Sequence, residues 1–259
     1  MFGIERRSKI ISILHDKKSI LVNETAALFH VTEETIRRDL KLLENQGLLT
    51  RTHGGAVLTD DTKVEASLEV REGINIEGKD AIGKKAAEEV SDGDTIILDA
   101  STTSLYVAKH IKDKKGITVI TNAEKVAFTL SECKDITIIS TGGILRHNSL
   151  SYVGRAAENA LSNYYADKVF FSCKGFSPGR GMMDSNEEEA EIKKTMIKCS
   201  NRAIFLCDHT KFDKVGFTAA TTLDDISMII TDKSMPEGWT RQIGSSGIKI
   251  KTAAISAAE

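Results

Sequence analysis

The segment HVTEETIRRDLKLLENQGLLTRTHGG, residues 30–55, decides the fold of the first part of the chain. Thr32 belongs to the residue types that cap helix N-termini, and acidic residues follow it in the first turn, where the helix dipole favours negative charge. Apolar side chains then recur at positions i, i+4 and i+7, at Ile36, Leu40 and Leu43. The pattern predicts a short amphipathic helix whose apolar stripe packs inward.

The opposite face of this predicted helix carries polar and basic side chains, namely Thr35, Arg37, Arg38 and Lys41. An apolar back and a front of hydroxyl and guanidinium groups suit a helix that enters the major groove of DNA. Gly47 ends the helix, and residues 48–52 and 56–58 flank a His-Gly-Gly turn as a small hairpin. A plain three-helix bundle with solvated arginines explains the helix but not the hairpin, so we expect a winged helix-turn-helix.

The residues before position 30 supply the other half of this unit. Asn23 is expected to cap a short helix over residues 25–29, and His30 lies in the turn between the two helices. That turn position often needs a positive φ, which His tolerates better than most residues other than Gly. Apolar residues between 10 and 14 predict a first helix. The residues expected to contact DNA are Arg6, Arg7, Thr32, Thr35, Arg37, Arg38, Lys41, Arg51 and His53.

The sequence VTEETIRRDLKLLENQGLLTRTHGGA, residues 31–56, closely resembles the DNA-binding domain of the DeoR family of bacterial transcription regulators. The Thr-Ile-Arg-Arg-Asp-Leu core and the Arg-x-His-Gly-Gly-Ala wing carry the resemblance. His30 departs from the Gly or other small residue that many helix-turn-helix proteins place before the Val. The resemblance implies a DNA-binding regulator of transcription.

Length and charge predict two domains of different character. The 259 residues have room for a DNA-binding domain at 1–58, a polar linker at 59–75 and a second domain at 76–259. Residues 1–58 contain nine Lys/Arg and seven Asp/Glu, a net charge of +2, whereas the remainder carries −4. Because the basic excess is small, we expect DNA affinity to come from a few well-placed cations and from two or more copies, as a homodimer or homotetramer.

Cysteine spacing and hydropathy exclude several classes of protein. The four cysteines, Cys133, Cys173, Cys199 and Cys207, are widely spaced and form no CxxC pair. We interpret them as reduced thiols of a cytoplasmic protein and expect neither a metal site nor a cofactor. The chain also has no long apolar run, so we expect no signal peptide and no membrane span.

From residue 76 onward, apolar strands alternate with helical patterns. Strands are predicted at 95–99, 118–121, 136–140, 169–172, 203–207 and 227–231, with 248–251 as a late edge strand. Helices are predicted at 80–90, 101–112 and 124–131. Apolar strands separated by helices indicate a largely parallel sheet that is covered on both faces. The fold class is therefore α/β.

Polar residues follow these strands one after another. Because ligands of open α/β sheets bind beyond the carboxyl ends of the strands, we expect these residues to form one site. Cations and helix-terminal N–H groups suit a phosphate, and carboxylates suit sugar hydroxyls, so the composition predicts a phosphorylated polyol. Each element alone is more simply a cap, a turn or a surface ion pair. The expected site residues are Asp99, Ser101, Thr102, Thr103, Thr121, Asn122, Gly142, Gly143, Arg146, Lys174, Asp208 and Lys211.

The segment IGKKAAEEVSDGDTIILDASTT, together with the Thr-Asn, Thr-Gly-Gly and Asp-x-x-Lys motifs, resembles the C-terminal sensor domain of the DeoR family. That domain is similar in fold to ribose-5-phosphate isomerase and typically senses a sugar phosphate. The resemblance implies that residues 101–103 form the phosphate loop, with Lys211 and Arg146 as cationic partners and Asp99 and Asp208 at the sugar end. Ala100-Ser101 stands where many members have Ser-Gly, which restricts how closely the backbone approaches a phosphate.

Three functions compete. We expect a repressor of a sugar-metabolism operon whose affinity for operator DNA changes when a phosphorylated sugar binds the second domain. The alternative is an aldose–ketose sugar-phosphate isomerase, but Ser172-Cys173-Lys174-Gly175 replaces the acidic motif expected there, so we expect no enzyme. A redox or metal sensor is disfavoured because the Cys and His residues are scattered. The acids Glu187, Glu188, Glu189 and Glu191 are interpreted as a solvated helix start.

Overall fold

The computed structural model describes residues 2–59 and 62–255, except for the side chains of residues 15 and 16. The chain divides into two compact units, Met1–Ile76 and Glu77–Glu259. The predicted boundaries, at 58/59 and 75/76, bracket a segment that the structure assigns to the first unit. Asp60 and Asp61, in the predicted linker, lie outside the described residues.

The first unit combines helices with a small antiparallel sheet in the order β1-β3-β2. Its elements are α1 (Gly3–Lys17), β1 (Ser19–Leu21), α2 (Val22–Phe29), α3 (Glu33–Asn45), β2 (Leu49–Arg51), β3 (Gly55–Leu58) and α4 (Leu68–Glu72). The predicted apolar stripe of α3 is buried against Ile10 and Leu14 of α1. The winged helix-turn-helix arrangement is confirmed.

The turn between α2 and α3 follows the prediction. His30 has a φ of 53°, and its N–H donates to the Ala27 carbonyl at 3.2 Å. The Thr32 hydroxyl accepts the N–H of Thr35 at 3.3 Å and caps α3. Capping satisfies one of the donors that a helix N-terminus leaves unpaired.

Two features of this unit differ from the sequence prediction. Asn23 does not cap α2, because the helix already begins at Val22, and the Asn23 Oδ1 atom accepts the N–H of Glu24 at 2.9 Å. The helix starts early because strand β1 runs directly into it. β1 was not predicted, since three residues with one inward side chain, Ile20, show no alternation.

The second half of the predicted linker packs into the first unit. Leu68, Val70 and Ile74 are buried, and the Arg71 Nε donates to the carbonyl of Ala66 at 3.0 Å. The polar composition of residues 59–63 had suggested an exposed segment throughout. Val70 and Ile74 instead extend the core of the first unit.

The second unit contains the longer set of alternating elements. They are α5 (Ile76–Ala87), β4 (Thr95–Leu98), α6 (Thr102–His110), β5 (Ile117–Thr121), α7 (Glu124–Leu130), β6 (Ile136–Ser140), β7 (Ile144–Arg146), β8 (Ser151–Val153), α8 (Arg155–Leu161), β9 (Ala166–Phe171), β10 (Gly175–Ser177), β11 (Gly181–Asp184), α9 (Glu187–Lys198), β12 (Ser200–Cys207), β13 (Thr218–Thr221), β14 (Met228–Thr231), α10 (Trp239–Gly244) and β15 (Lys249–Thr252). Two short 3₁₀ helices span His209–Lys211 and Leu223–Asp225.

Seven of these strands form one parallel sheet in the order β15-β14-β12-β9-β4-β5-β6. Side chains alternate between its faces, so that Ile96 and Leu98 of β4 join one buried cluster and Ile97 joins the other. This confirms the parallel sheet covered on both faces, with β15 at an edge. Two smaller sheets, β7-β8 and β10-β11-β13, were not predicted.

A buried ion pair holds α1 against α3. Asp39 lies on the inward face of α3 and is 3% exposed. Its Oδ2 atom is 2.5 Å from Nε of Arg6, and its Oδ1 atom is 3.4 Å from Nη1 of Arg7. Two guanidinium groups from the first helix therefore fix the orientation of the helix that follows the turn.

We predict that Asp39→Asn loosens the first unit. Removing one member of a buried ion pair costs about 3 kcal/mol, because the two guanidinium groups lose their buried counter-charge. Hydrogen exchange of α1 and α3 amides in the full-length protein should accelerate roughly 100-fold. Glu33→Gln, which removes the exposed partner of Arg37, is the control and should leave exchange nearly unchanged. Equal protection in Asp39→Asn and the wild type would contradict this role.

Candidate functional site

The exposed face of α3 presents three cations to solvent. Arg37, Arg38 and Lys41 are all exposed, as predicted for a helix that contacts DNA. Arg37 pairs with Glu33 at 2.7 Å, whereas Arg38 and Lys41 form no ion pair among the residues the structure describes. The Thr35 hydroxyl lies 2.9 Å from that of Thr32.

The wing is fixed to α3 by Arg51. Its backbone N–H donates to Oε1 of Glu44 at 3.0 Å, and its Nε donates to Oε2 at 2.6 Å. Hydrogen bonds from the backbone and then the side chain of Arg51 hold the pKa of Glu44 below its usual value. Gly55 is required here, because a Cβ atom would lie 1.8 Å from the carbonyl oxygen of Ile20. His53, at the tip, is exposed.

Arg6 and Arg7, also expected to contact DNA, lie in a different environment. Their side chains are 11% and 22% exposed and pair with Asp39. The structure therefore places these two guanidinium groups inside the unit, where they orient α3, rather than beside its exposed cations.

In the second unit, the buried carboxylate of Asp99 organises the loop between β4 and α6. Its Oδ1 atom accepts the N–H of Ser101 at 3.1 Å and the hydroxyl of Ser104 at 2.6 Å. Its Oδ2 atom accepts the N–H of Ser172, which follows β9, at 3.1 Å. Because both of its oxygens accept hydrogen bonds from the protein, Asp99 fixes the positions of the loop before α6 and of the residue after β9.

The N-terminus of α6 retains donors for a ligand. The Ser101 hydroxyl accepts the N–H of Ser104 at 3.0 Å and caps the helix. Among the hydrogen bonds of the described residues, none uses the N–H of Thr102 or Thr103. These two N–H groups lie at the positive end of the helix dipole, where anions bind.

Two polar side chains, Thr121 and Asn122, lie at the end of β5 and differ in how completely they are hydrogen-bonded. The Thr121 hydroxyl donates to the Leu98 carbonyl at 2.7 Å and accepts the N–H of Ala123 at 3.0 Å. Asn122 donates from Nδ2 to the Tyr152 carbonyl at 2.9 Å, but its buried Oδ1 has no hydrogen-bond partner among the described residues. A buried polar atom without a partner costs about 1–3 kcal/mol, so Oδ1 of Asn122 is an acceptor that a bound molecule can use.

Opposite charges surround Asp208 at the end of β12. Its buried carboxylate accepts the N–H of Thr210 at 3.1 Å. Burial by itself raises the pKa of Asp208. The nearby cations Lys211 and Lys79 lower it by a larger amount, so the pKa falls to about 2. Lys79 is itself buried and was not predicted. The adjacent His209 donates its backbone N–H to Asp232 at 2.7 Å, which links the ends of β12 and β14.

Arg146, expected to bind phosphate, is paired within the protein. Its Nη1 atom donates to Glu189 at 2.8 Å and to the Ser149 hydroxyl at 3.2 Å. Burial by itself raises the pKa of Glu189. Together Lys193, Ser151 and Arg146 lower it by a larger amount, so the net shift is downward. Glu189 is therefore a buried partner of the β7–β8 hairpin, and its interpretation as part of a solvated helix start is wrong.

The remaining predicted residues are backbone features of the rim. Gly142 and Gly143 have φ values of 61° and 118°, which favour glycine. A Cβ atom at Gly143 would also lie 2.8 Å from the carbonyl oxygen of Val153. The Lys174 N–H donates to Met183 at 3.0 Å, so the loop after β9 is held to β11.

Four charged residues of this region were missed in the sequence. They are Lys79, Asp184, Glu189 and Lys193, all of them buried. The only signal was the spacing of four between Glu189 and Lys193, which places both on one face of α9. Within residues 2–59 and 62–255, apart from the side chains of residues 15 and 16, no group of three or more His, Cys, Asp or Glu side chains is arranged to hold a metal ion. Burial raises the pKa of the Cys173 and Cys207 thiols, which disfavours oxidation of these two residues.

Family models match both units. Residues 6–62 match the DeoR-like helix-turn-helix domain, and residues 74–233 match the DeoR C terminal sensor domain. No helix among the described residues is long and apolar enough to cross a membrane.

Several characterised or named relatives span nearly the whole chain. The uncharacterized HTH-type transcriptional regulator YulB of Bacillus subtilis (strain 168) is 43% identical over 99% of both chains. The HTH-type transcriptional regulator GolR of Listeria innocua is 37% identical over 98% of this chain and 100% of its own. The putative aga operon transcriptional repressor of Escherichia coli O157:H7 is 34% identical over 95% and 92%.

Solved structures with a related arrangement are more distant. Ribose 5-phosphate isomerase A from Methanocaldococcus jannaschii has a TM-score of 0.39 and 15% identity, over 52% of this chain and 54% of its own. eIF2B delta from Chaetomium thermophilum has a TM-score of 0.46 and 15% identity, over 62% and 57%. Similarity at this level carries no information about activity.

Proposed function

Because the chain belongs to the DeoR family of transcriptional regulators, we propose that it represses a sugar-metabolism operon and that a phosphorylated sugar bound in its second unit changes its affinity for operator DNA. The relatives that it matches over nearly their full lengths are named as transcriptional regulators or repressors. The chain is therefore a regulator rather than an enzyme. One of them is named as a repressor of an operon.

In this proposal α3 and the wing bind operator DNA. The exposed cations Arg37, Arg38 and Lys41 enter the major groove with Thr32 and Thr35, and Arg51 and His53 follow from the wing. Arg6 and Arg7 act through Asp39 by holding α3 in place. Since one small winged helix binds weakly, the working form is a homodimer or homotetramer in the cytoplasm, matched to a two-fold operator.

One observation supports the ligand site above all. Unused hydrogen-bonding groups lie together at the carboxyl ends of neighbouring strands: the N–H groups of Thr102 and Thr103 and the buried Oδ1 of Asn122. The phosphate binds the helix N-terminus that Ser101 caps, with Lys211 as its cation. In this proposal Arg146 pairs with Glu189 and orients the β7–β8 hairpin instead of binding the phosphate.

Regulation then follows from linkage. A ligand shifts the affinity for DNA only if it binds the DNA-bound and free states with different affinity. In an oligomer, the relevant difference is the spacing of two winged helices on their half-sites.

We predict that Arg38→Ala weakens operator binding by roughly 1–3 kcal/mol, because a guanidinium that contacts a base edge contributes that much. The operator is first selected from a pool of random duplexes with the wild-type protein, and affinity is then measured by fluorescence anisotropy at fixed salt. Arg155→Ala, an exposed arginine of the second unit, is the matched control. Full affinity in Arg38→Ala would remove this residue from the interface.

We predict that a phosphosugar stabilises the second unit against thermal unfolding by several degrees, while the parent sugar does not. Unfolding is followed by the fluorescence of Trp239, the one tryptophan of the chain, which lies in α10 of this unit. Lys211→Ala should abolish the shift, and Lys194→Ala, an exposed lysine paired with Glu191, should keep it. If no phosphosugar shifts the wild type, the sensor function is refuted.

A further inference from the structure

Lys193 of α9 is a buried lysine beside the carboxylate of Asp99. Its side chain is 8% exposed, and its Nζ lies 2.9 Å from Oδ2 of Asp184 and 3.8 Å from Oδ2 of Asp99. Burial by itself lowers the pKa of Lys193. The carboxylates of Asp184, Asp99 and Glu189 raise it by a larger amount, so the group stays a cation. A buried cation at the end of a sheet requires an explanation, because removing it from water is costly.

The ammonium group has unused donors. It carries three N–H groups, and only Asp184 lies within hydrogen-bond distance among the described residues, since 3.8 Å to Asp99 is too long for a hydrogen bond. Among the described residues, Asp184 is therefore the one acceptor close enough to bind the ammonium, and its other N–H groups can donate to a ligand.

Ser172 contacts the same carboxylate oxygen through its backbone. Its backbone N–H donates to Oδ2 of Asp99, the atom that lies 3.8 Å from Nζ of Lys193. Its Oγ atom is buried and has no hydrogen-bond partner among the described residues. Oδ2 of Asp99 is thus bonded to the backbone of Ser172, whose hydroxyl has no partner among the described residues, and lies near the Lys193 ammonium. Asn122, with its unpaired Oδ1, follows β5, which neighbours β4.

The charges around Lys193 define what binds there. Asp184 and Asp99 both lie close to the ammonium, so a second anion would meet two carboxyl groups. A ligand group that accepts from Lys193 must carry a lone pair, and one that donates to Asn122 must carry a hydrogen. A hydroxyl has both, and the Ser172 hydroxyl can serve either role.

We propose that Lys193 and Ser172 form the hydroxyl-recognising end of the ligand site and determine which phosphosugar this regulator accepts. The inference rests on the proposed sensor function, with the phosphate at the N-terminus of α6. A site built to bind a hydroxyl discriminates strongly against ligands that lack it, because its buried polar groups are then left unpaired.

Ser172→Ala is the decisive variant. Since Oγ has no partner in the protein, removing it breaks no internal hydrogen bond, and the N–H to Asp99 remains. The variant should therefore unfold at the wild-type temperature or above it, yet bind the phosphosugar that best stabilises the wild type about tenfold more weakly, or about 1.4 kcal/mol. Ser200→Ala, at the amino end of β12, is the control and should bind as the wild type does.

The double variant Lys193→Met with Asp184→Asn removes the ammonium and its partner charge together. Affinity for the same phosphosugar should fall at least 30-fold, while inorganic phosphate, measured as its competitor, should bind within threefold of the wild type. A purely structural role would weaken both ligands by the same factor. If this variant does not fold, Ser172→Ala alone decides.

The outcomes separate the two claims. If the wild type binds a phosphosugar and Ser172→Ala binds it equally well, this inference is refuted and the sensor function stands. Parallel weakening of phosphosugar and inorganic phosphate refutes it as well. If the wild type binds none of glucose 6-phosphate, fructose 6-phosphate, fructose 1-phosphate, ribose 5-phosphate and glycerol 3-phosphate, the proposed function fails and this inference fails with it.

Discussion

The buried carboxylate of Asp99 is the interaction on which the ligand end of the second unit depends. It accepts hydrogen bonds from the loop that opens α6 and from the residue after β9, and it lies beside the ammonium of Lys193 on α9. A carboxylate held by several donors is ordered, and it orders the groups that bind it. The orientation of the helix N-terminus, the position of Ser172 and the charge balance near Lys193 all follow from this one side chain.

The basic residues of the first unit divide into two groups with different tasks. Arg6 and Arg7 point inward to Asp39 and determine how α3 is held, whereas Arg38 and Lys41 point to solvent. A net charge of +2 over residues 1–58 cannot distinguish these groups. The division depends on Asp39, an acid on the buried face of an otherwise apolar stripe. Its carboxylate pairs with two arginines and so compensates for the burial of their charges.

Sequence patterns predicted the elements that repeat a period over several turns or residues. The stripe of α3 and the apolar strands of the parallel sheet are of this kind, and both were predicted with small errors at their ends. Strand β1 and helix α4 were missed because each is too short to show a period, and each is fixed by partners distant in sequence. Propensity is a weak signal when tertiary packing decides the structure.

Charged site residues were harder to predict than elements, for a physical reason. Glu189 was interpreted as a solvent-facing charge, and the sequence prediction singled out neither Lys79 nor Lys193, since burial of a charge depends on a partner from another element. Conversely, Arg146 looked like a phosphate ligand because it follows a strand, and its pairing with Glu189 becomes visible only in three dimensions. The strand ends identified the region, and the partners of each group identified its role.

The central claim is that ligand binding in the second unit and DNA binding by the first are coupled. The most direct measurement is the affinity of the full-length protein for its selected operator, with and without a saturating concentration of the phosphosugar that stabilises it most. We expect operator affinity to change roughly 5- to 150-fold, the usual range of coupling between two sites. Identical operator affinity with and without saturating phosphosugar would contradict it.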